Sequence, residues 1–132
     1  MSTPCHCTNL RIATRKVAAL YDAALSPVGI NIAQYALLRT IARRQPISLT
    51  ELAKHLELDR STMGRNVRVI QKLGLVELGR GEDQREATVT LSEHGSTVLR
   101  KAEPLWDRCQ DEIGERLGPT RVELIAELSQ LL

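Results

Sequence analysis

The run from Asp59 through Gly74 (DRSTMGRNVRVIQKLG) constrains the fold most, because it marks both ends of one helix. Asp59 is suited to cap a helix, its carboxylate accepting from the free backbone N–H groups of the first turn. Leu58 before it and Met63 after it have the spacing of a hydrophobic staple. Gly74 follows the last periodic residue, where a helix needs a left-handed stop. Met63, Val67 and Ile70 recur at i, i+4 and i+7 and predict a core-facing stripe. Ser61, Arg65, Arg68 and Lys72 fall on the opposite side at 3.6 residues per turn. That outer face carries three cations, no acid, and a small hydroxyl residue at its N-terminal end. Such a helix can approach a nucleic-acid groove closely, with Arg65 at base edges and Arg68 and Lys72 at phosphates.

The flanks extend the pattern. Upstream, residues 48–56 predict a short helix with Leu49, Leu52, Ala53 and Leu56 on one side, joined tightly through Glu57 and Leu58 to the Asp59 cap. Two short helices so joined make a helix-turn-helix. Downstream, Val76-Glu77-Leu78 and Ala87-Thr88-Val89-Thr90-Leu91 alternate apolar and polar residues like strands. The stretch between them, residues 79–86, is a turn-rich tip holding Arg80 and Arg85. A hairpin after a helix-turn-helix is a winged helix.

The block from Ser48 to Leu91 resembles the MarR family of bacterial transcription regulators. The matching residues are Leu52-Ala53, Asp59-Arg60-Ser61-Thr62, Arg65, Leu73-Gly74-Leu75-Val76, and Asp83-Gln84-Arg85 ahead of Val89-Thr90-Leu91-Ser92. The resemblance implies that Ser61, Thr62 and Arg65 read the major groove. It also implies that Arg85 enters the minor groove, held by Asp83. Arg60, Arg68, Lys72 and Arg80 are then expected on or near phosphates. The chain departs from the family at Gly64, where relatives usually carry Thr; glycine there loosens the helix by ~1 kcal/mol relative to Ala.

Outside this block, residues 8–25 and Ile32 to Arg43 read as amphipathic helices. Ser92 caps a long helix whose seam is Val98, Ala102, Leu105, Cys109, Ile113 and Leu117, with Pro104 inside it. After Gly118-Pro119, Val122, Ile125, Leu128 and Leu132 form a last amphipathic helix. The first helix and the last two carry apolar seams beyond the needs of a winged unit, so a second copy is expected to cover them in a C₂ homodimer. The alternative is a monomer with a folded-back bundle. The expected architecture is mainly α with a small β wing: a winged helix-turn-helix plus terminal dimerisation helices. Residues 1–30 are assigned to an N-terminal dimerisation helix, 31–91 to the DNA-binding unit, and 92–132 to C-terminal dimerisation helices.

Composition limits the rest. There is no Phe, one Trp and two Tyr, so the core must be aliphatic. A net charge of +2 means that any attraction to DNA comes from local patches rather than the whole molecule. No apolar run approaches the ~18 residues needed to span a bilayer. The start lacks the basic and apolar regions of a signal peptide, so a cytoplasmic, reducing location is expected, with the three cysteines as thiols at rest. Cys5-His6-Cys7 is a poor metal site, because no second Cys/His pair has ligand spacing. No cofactor is implied. No cysteine has a base set convincingly beside it, which argues against an enzyme.

Two effector readings stay open. Cys7, at or just before the first helical turn, sits where the helix dipole favours thiolate. With Tyr21 and Gln34-Tyr35 it resembles the organic-peroxide-sensing branch of the MarR family. There a tyrosine near the end of the first helix hydrogen-bonds the reactive cysteine, and Cys109 is placed like the partner subunit's resolving cysteine. Arg11 stands where that branch has a second tyrosine. Alternatively, a small molecule binds non-covalently. The expected function is a sequence-specific dimeric repressor on a pseudo-palindromic double-stranded operator, released by peroxide or a small ligand. The competing readings are a thiol-dependent redox protein, or a winged helix used for protein contacts without DNA.

Overall fold

A computed structural model describes residues 3–82 and 85–132. Helix α1 spans His6–Leu25, and a 3₁₀ turn at Ser26–Val28 leads to α2 at Ile32–Arg44. The two-residue strand β1 (Ile47–Ser48) precedes α3 (Leu49–His55) and α4 (Arg60–Lys72). The hairpin β2 (Val76–Arg80) and β3 (Ala87–Leu91) is followed by α5 (Glu93–Leu117) and α6 (Pro119–Leu131).

The local signals for α4 act as their chemistry requires. Asp59 adopts an extended backbone and its carboxylate accepts from the Thr62 N–H. At the other end Gly74 takes φ +76°, a conformation that costs glycine nothing. The Leu75 N–H reaches back to the Ile70 carbonyl at 3.0 Å and the Gly74 N–H to Gln71 at 2.9 Å. These two bonds are a Schellman stop. The staple is the exception: Met63 is fully buried while Leu58 remains 41% exposed. Met63 is therefore anchored by the core beneath it.

The sheet is antiparallel in the order β1-β3-β2, with Ile47 opposite Val89 and Val76 opposite Leu91. Strand β2 is longer than the sequence alternation predicts. Gly79 pairs with Thr88 and Arg80 with Ala87, so Arg80 stands at the end of the ladder rather than in the tip. The Gln45 side chain ties the loop after α2 to the base of this hairpin, its Oε1 accepting from the Leu91 N–H at 2.8 Å.

The core is aliphatic as composition requires. Leu25, Leu38, Ile41, Leu52, Met63, Ile70 and Val89 are its fully buried centre. Tyr35 is the buried aromatic, stacked on Trp106 of α5 at 5.6 Å, with the Arg39 guanidinium 4.6 Å from the Trp106 ring centroid. Only part of α5 is packed into this unit: Val98, Leu99 and Ala102 are buried, and farther along Cys109 is buried where α5 faces α1. Leu10 and Leu20 of α1, and Val122, Leu124, Ile125 and Leu131 of α6, stay exposed. One chain alone covers part of the α5 seam and leaves these apolar residues of α1 and α6 uncovered.

Candidate nucleic-acid interface

The α4 surface is organised by its cap. The Asp59 carboxylate accepts from the Thr62 N–H (2.8 Å), the Ser61 hydroxyl (2.8 Å) and the Thr62 hydroxyl (2.9 Å). Thr62 Oγ1 in turn accepts from Arg65 Nη2 at 3.2 Å. A chain of charge-assisted bonds thus runs Asp59–Thr62–Arg65 and aims the Arg65 guanidinium. The Thr62 backbone bond, then the Ser61 and Thr62 hydroxyls, hold the Asp59 carboxyl down to about 2. The sign is that of a depressed acid: the cap stabilises the helix above the ordinary carboxylate range, and its contribution disappears as pH falls toward 2.

The groups expected at the major groove differ in how they are held. Arg65 is exposed and oriented. Ser61 is exposed, but its proton is committed to Asp59. Thr62 is half-buried, with its proton given to Asp59 and its oxygen accepting from Arg65, so its hydroxyl positions the Arg65 guanidinium. Arg60, Arg68 and Lys72 are exposed and form no ion pair with the described residues. Arg80 is exposed at the end of β2, and Arg85 is exposed in the hairpin tip, across which the Gly81 N–H meets the Glu86 carbonyl at 3.5 Å. Asp83, expected to hold Arg85, lies outside the described residues.

The thiols separate into two environments. Cys5, not Cys7, caps α1: its sulfur accepts from the Thr8 N–H at 3.5 Å. Cys7 lies inside the first turn. Cysteine is not among the usual capping residues, so nothing in the sequence marked it. The Thr8 side-chain and backbone bonds lower the Cys5 thiol below its ordinary value. Cys109 is 6% exposed and its thiol is pushed up, chiefly by burial and then by Glu112. Tyr21 does not reach Cys7 within one chain, because fourteen residues of helix separate them by about 21 Å. Its hydroxyl donates instead to Gln110 Oε1 on α5, and it lies near enough to Cys109 for that thiolate to raise it, after burial. Cys109 shares this end of α1, lining a cleft of about 400 Å³ with Leu20, Ala24 and Ile113. Disulfide geometry needs Cα atoms within ~7 Å, so Cys7 and Cys109 cannot bridge inside a single chain. Iodoacetamide at pH 7.5 should label Cys5 several-fold faster than Cys109 in the folded protein. Peptide mass spectrometry checks the order, and faster labelling of Cys109 would contradict it.

Gln34, singled out with Tyr35, forms the capping box of α2 with Asn31. No group of three or more His, Cys, Asp or Glu among the described residues is placed to hold a metal ion. No helix among them is long and apolar enough to cross a membrane.

Similarity to known proteins agrees with this geometry. A family model described as the MarR family matches residues 28–86. No curated protein matches the chain. Among solved structures, the transcriptional regulator MosR of M. tuberculosis in complex with DNA is 34% identical, over 97% of this chain and 96% of its own, with a TM-score of 0.88. A second MosR structure is 32% identical over 96% and 94%, at 0.82. A mutant of E. coli MarR complexed with operator DNA is 24% identical over 93% and 89%, at 0.83, a likeness of fold. A relative 34% identical and matched along nearly its whole length, with a family model covering the helix-turn-helix and the first strand of the hairpin, settles the kinship: the chain belongs to the MarR family.

Proposed function

We propose that this protein is a homodimeric, sequence-specific DNA-binding transcriptional regulator, acting as a repressor in the cytoplasm and carrying out no catalytic step. One observation carries the reading: an acid-free α4 face with Arg65 aimed through Thr62 by the Asp59 cap, beside a hairpin whose tip holds Arg85. Arg65 and Ser61 meet base edges in the major groove. Arg85, with Asp83, enters the minor groove. Arg60, Arg68, Lys72 and Arg80 hold phosphates. That a 34% identical regulator was solved in complex with DNA supports DNA as the partner.

The exposed apolar faces of α1 and α6 support a second copy as the other half. Residues 1–30 and 92–132 then serve dimerisation and 31–91 bind DNA. Paired α4 helices meet a pseudo-palindrome with half-sites about one helical turn apart. An effector acts by preferring one separation of the two α4 helices over another. Oxidation at the α1 N-terminus, where Cys5 and Cys7 are exposed, and a small ligand between the terminal helices and the winged unit are the two routes.

Selection of duplexes from a random pool, followed by gel shifts at two salt concentrations, tests the reading. A single preferred sequence bound far more tightly than bulk DNA, with affinity falling steeply as salt rises, is the expected result. Uniform weak binding to all duplexes, or none, would remove it.

A further inference from the structure

Gly64 lies in the middle of α4, and neither backbone nor packing calls for glycine there. Its φ is not in the left-handed region, and a Cβ built on it meets nothing within 4 Å. Gly74, with φ +76°, and Gly95, whose Cβ would lie 1.9 Å from the Leu75 carbonyl oxygen, show what a structural requirement looks like. A glycine in a helix interior is destabilising relative to alanine, so the free protein gains nothing from it.

Its surroundings suggest what does. Arg60 and Arg68 stand one turn before and one turn after Gly64 on the same edge of the helix, and both are exposed. Between two cations the side-chain layer is missing, leaving a notch in which bare helix backbone is reachable from outside.

We propose that Gly64 is a DNA-contact position that sets how deeply α4 sits in the groove. Arg60 and Arg68 hold one strand by its phosphates, and that strand presses onto the α4 backbone at Gly64. The depth so fixed decides which base edges Arg65, the next residue, can reach, which makes Gly64 a specificity-determining position. This rests on the reading of α4 as the groove-facing helix.

Gly64→Ala separates the two requirements, because it should improve the free protein while weakening the complex. Its melting temperature should equal or exceed wild type by a few degrees. Its Kd for the duplex selected by the wild-type protein should rise about tenfold, the scale of one lost contact. Unchanged or tighter binding overturns the proposal. So does a variant that loses stability along with affinity, since the added methyl would then be colliding inside the protein. A wild-type chain that selects no duplex takes down the parent reading as well, and that failure is visible before any variant is made.

Discussion

Gly95→Ala should cost the protein about 3 kcal/mol or more of stability, beyond the ordinary overpacking penalty. Gly95 is buried in the first turn of α5, its N–H bonded to the capping Ser92 hydroxyl at 2.9 Å. Ser92 also donates its hydroxyl to the Gly74 carbonyl and its N–H to the Leu75 carbonyl. The end of α4 and the start of α5 are therefore clamped together through backbone atoms. A methyl group on Gly95 would stand 1.9 Å from the Leu75 oxygen and 2.9 Å from its carbon. Neither atom can swing aside as a side chain would, so the clamp must open or α5 must shift. The alanine helix preference returns only ~1 kcal/mol. A thermal melt should show the midpoint falling by roughly ten degrees. A midpoint within a degree or two of wild type would mean that the contact between α5 and the α4–β2 turn is looser than described. Gly64→Ala is the natural control, being the same chemical change in the same kind of element with open space around it.

Arg65→Ala should weaken binding to the selected duplex by ~1 to 3 kcal/mol and relax discrimination at the base pairs it faces. The magnitude belongs to a pre-oriented guanidinium: the Thr62 oxygen holds Arg65 before DNA arrives, so little side-chain freedom remains to be lost on binding. Arg68→Ala is the contrasting variant, because Arg68 has no such tether among the described residues and is assigned to a phosphate. It should weaken all duplexes alike and flatten the dependence of log Kd on log salt by about one unit. Titrations against the selected duplex and a panel of single-base-pair variants distinguish the two behaviours. An Arg65→Ala protein that keeps both its affinity and its preferences would remove Arg65 from the base-reading role.

What could be read from the sequence follows from how local each determinant is. Asp59, Gly74 and Ser92 announced the ends of α4 and α5 because a cap is a bond between a residue and its own helix. The period of Met63, Val67 and Ile70 announced the buried face for the same reason. Non-local bonds were less visible. Strand β2 runs on through Gly79 and Arg80 because β3 supplies partners there, although glycine interrupts the alternation. Tyr21 finds Gln110, eighty-nine residues away, and no spacing rule leads there from a tyrosine on α1. At the candidate interface the residue types were legible and their division of labour was not. Ser61 and Thr62 look equivalent in sequence, and both lie about one turn before Arg65, yet it is the Thr62 oxygen that accepts from the guanidinium and orients it. Cys5 carries no capping signal in the sequence because thiols rarely cap helices, and the Thr8 bond that identifies it exists only once α1 has formed.

Hydroxyl-radical footprinting of the wild-type protein on its selected duplex tests most directly whether two α4 helices and two hairpin tips engage DNA together. Two protected tracts are expected on one face, centred about 10 base pairs apart, with further protection in the minor groove flanking them. A single protected tract, or two at a spacing that does not place them on the same face, would contradict the paired-interface account.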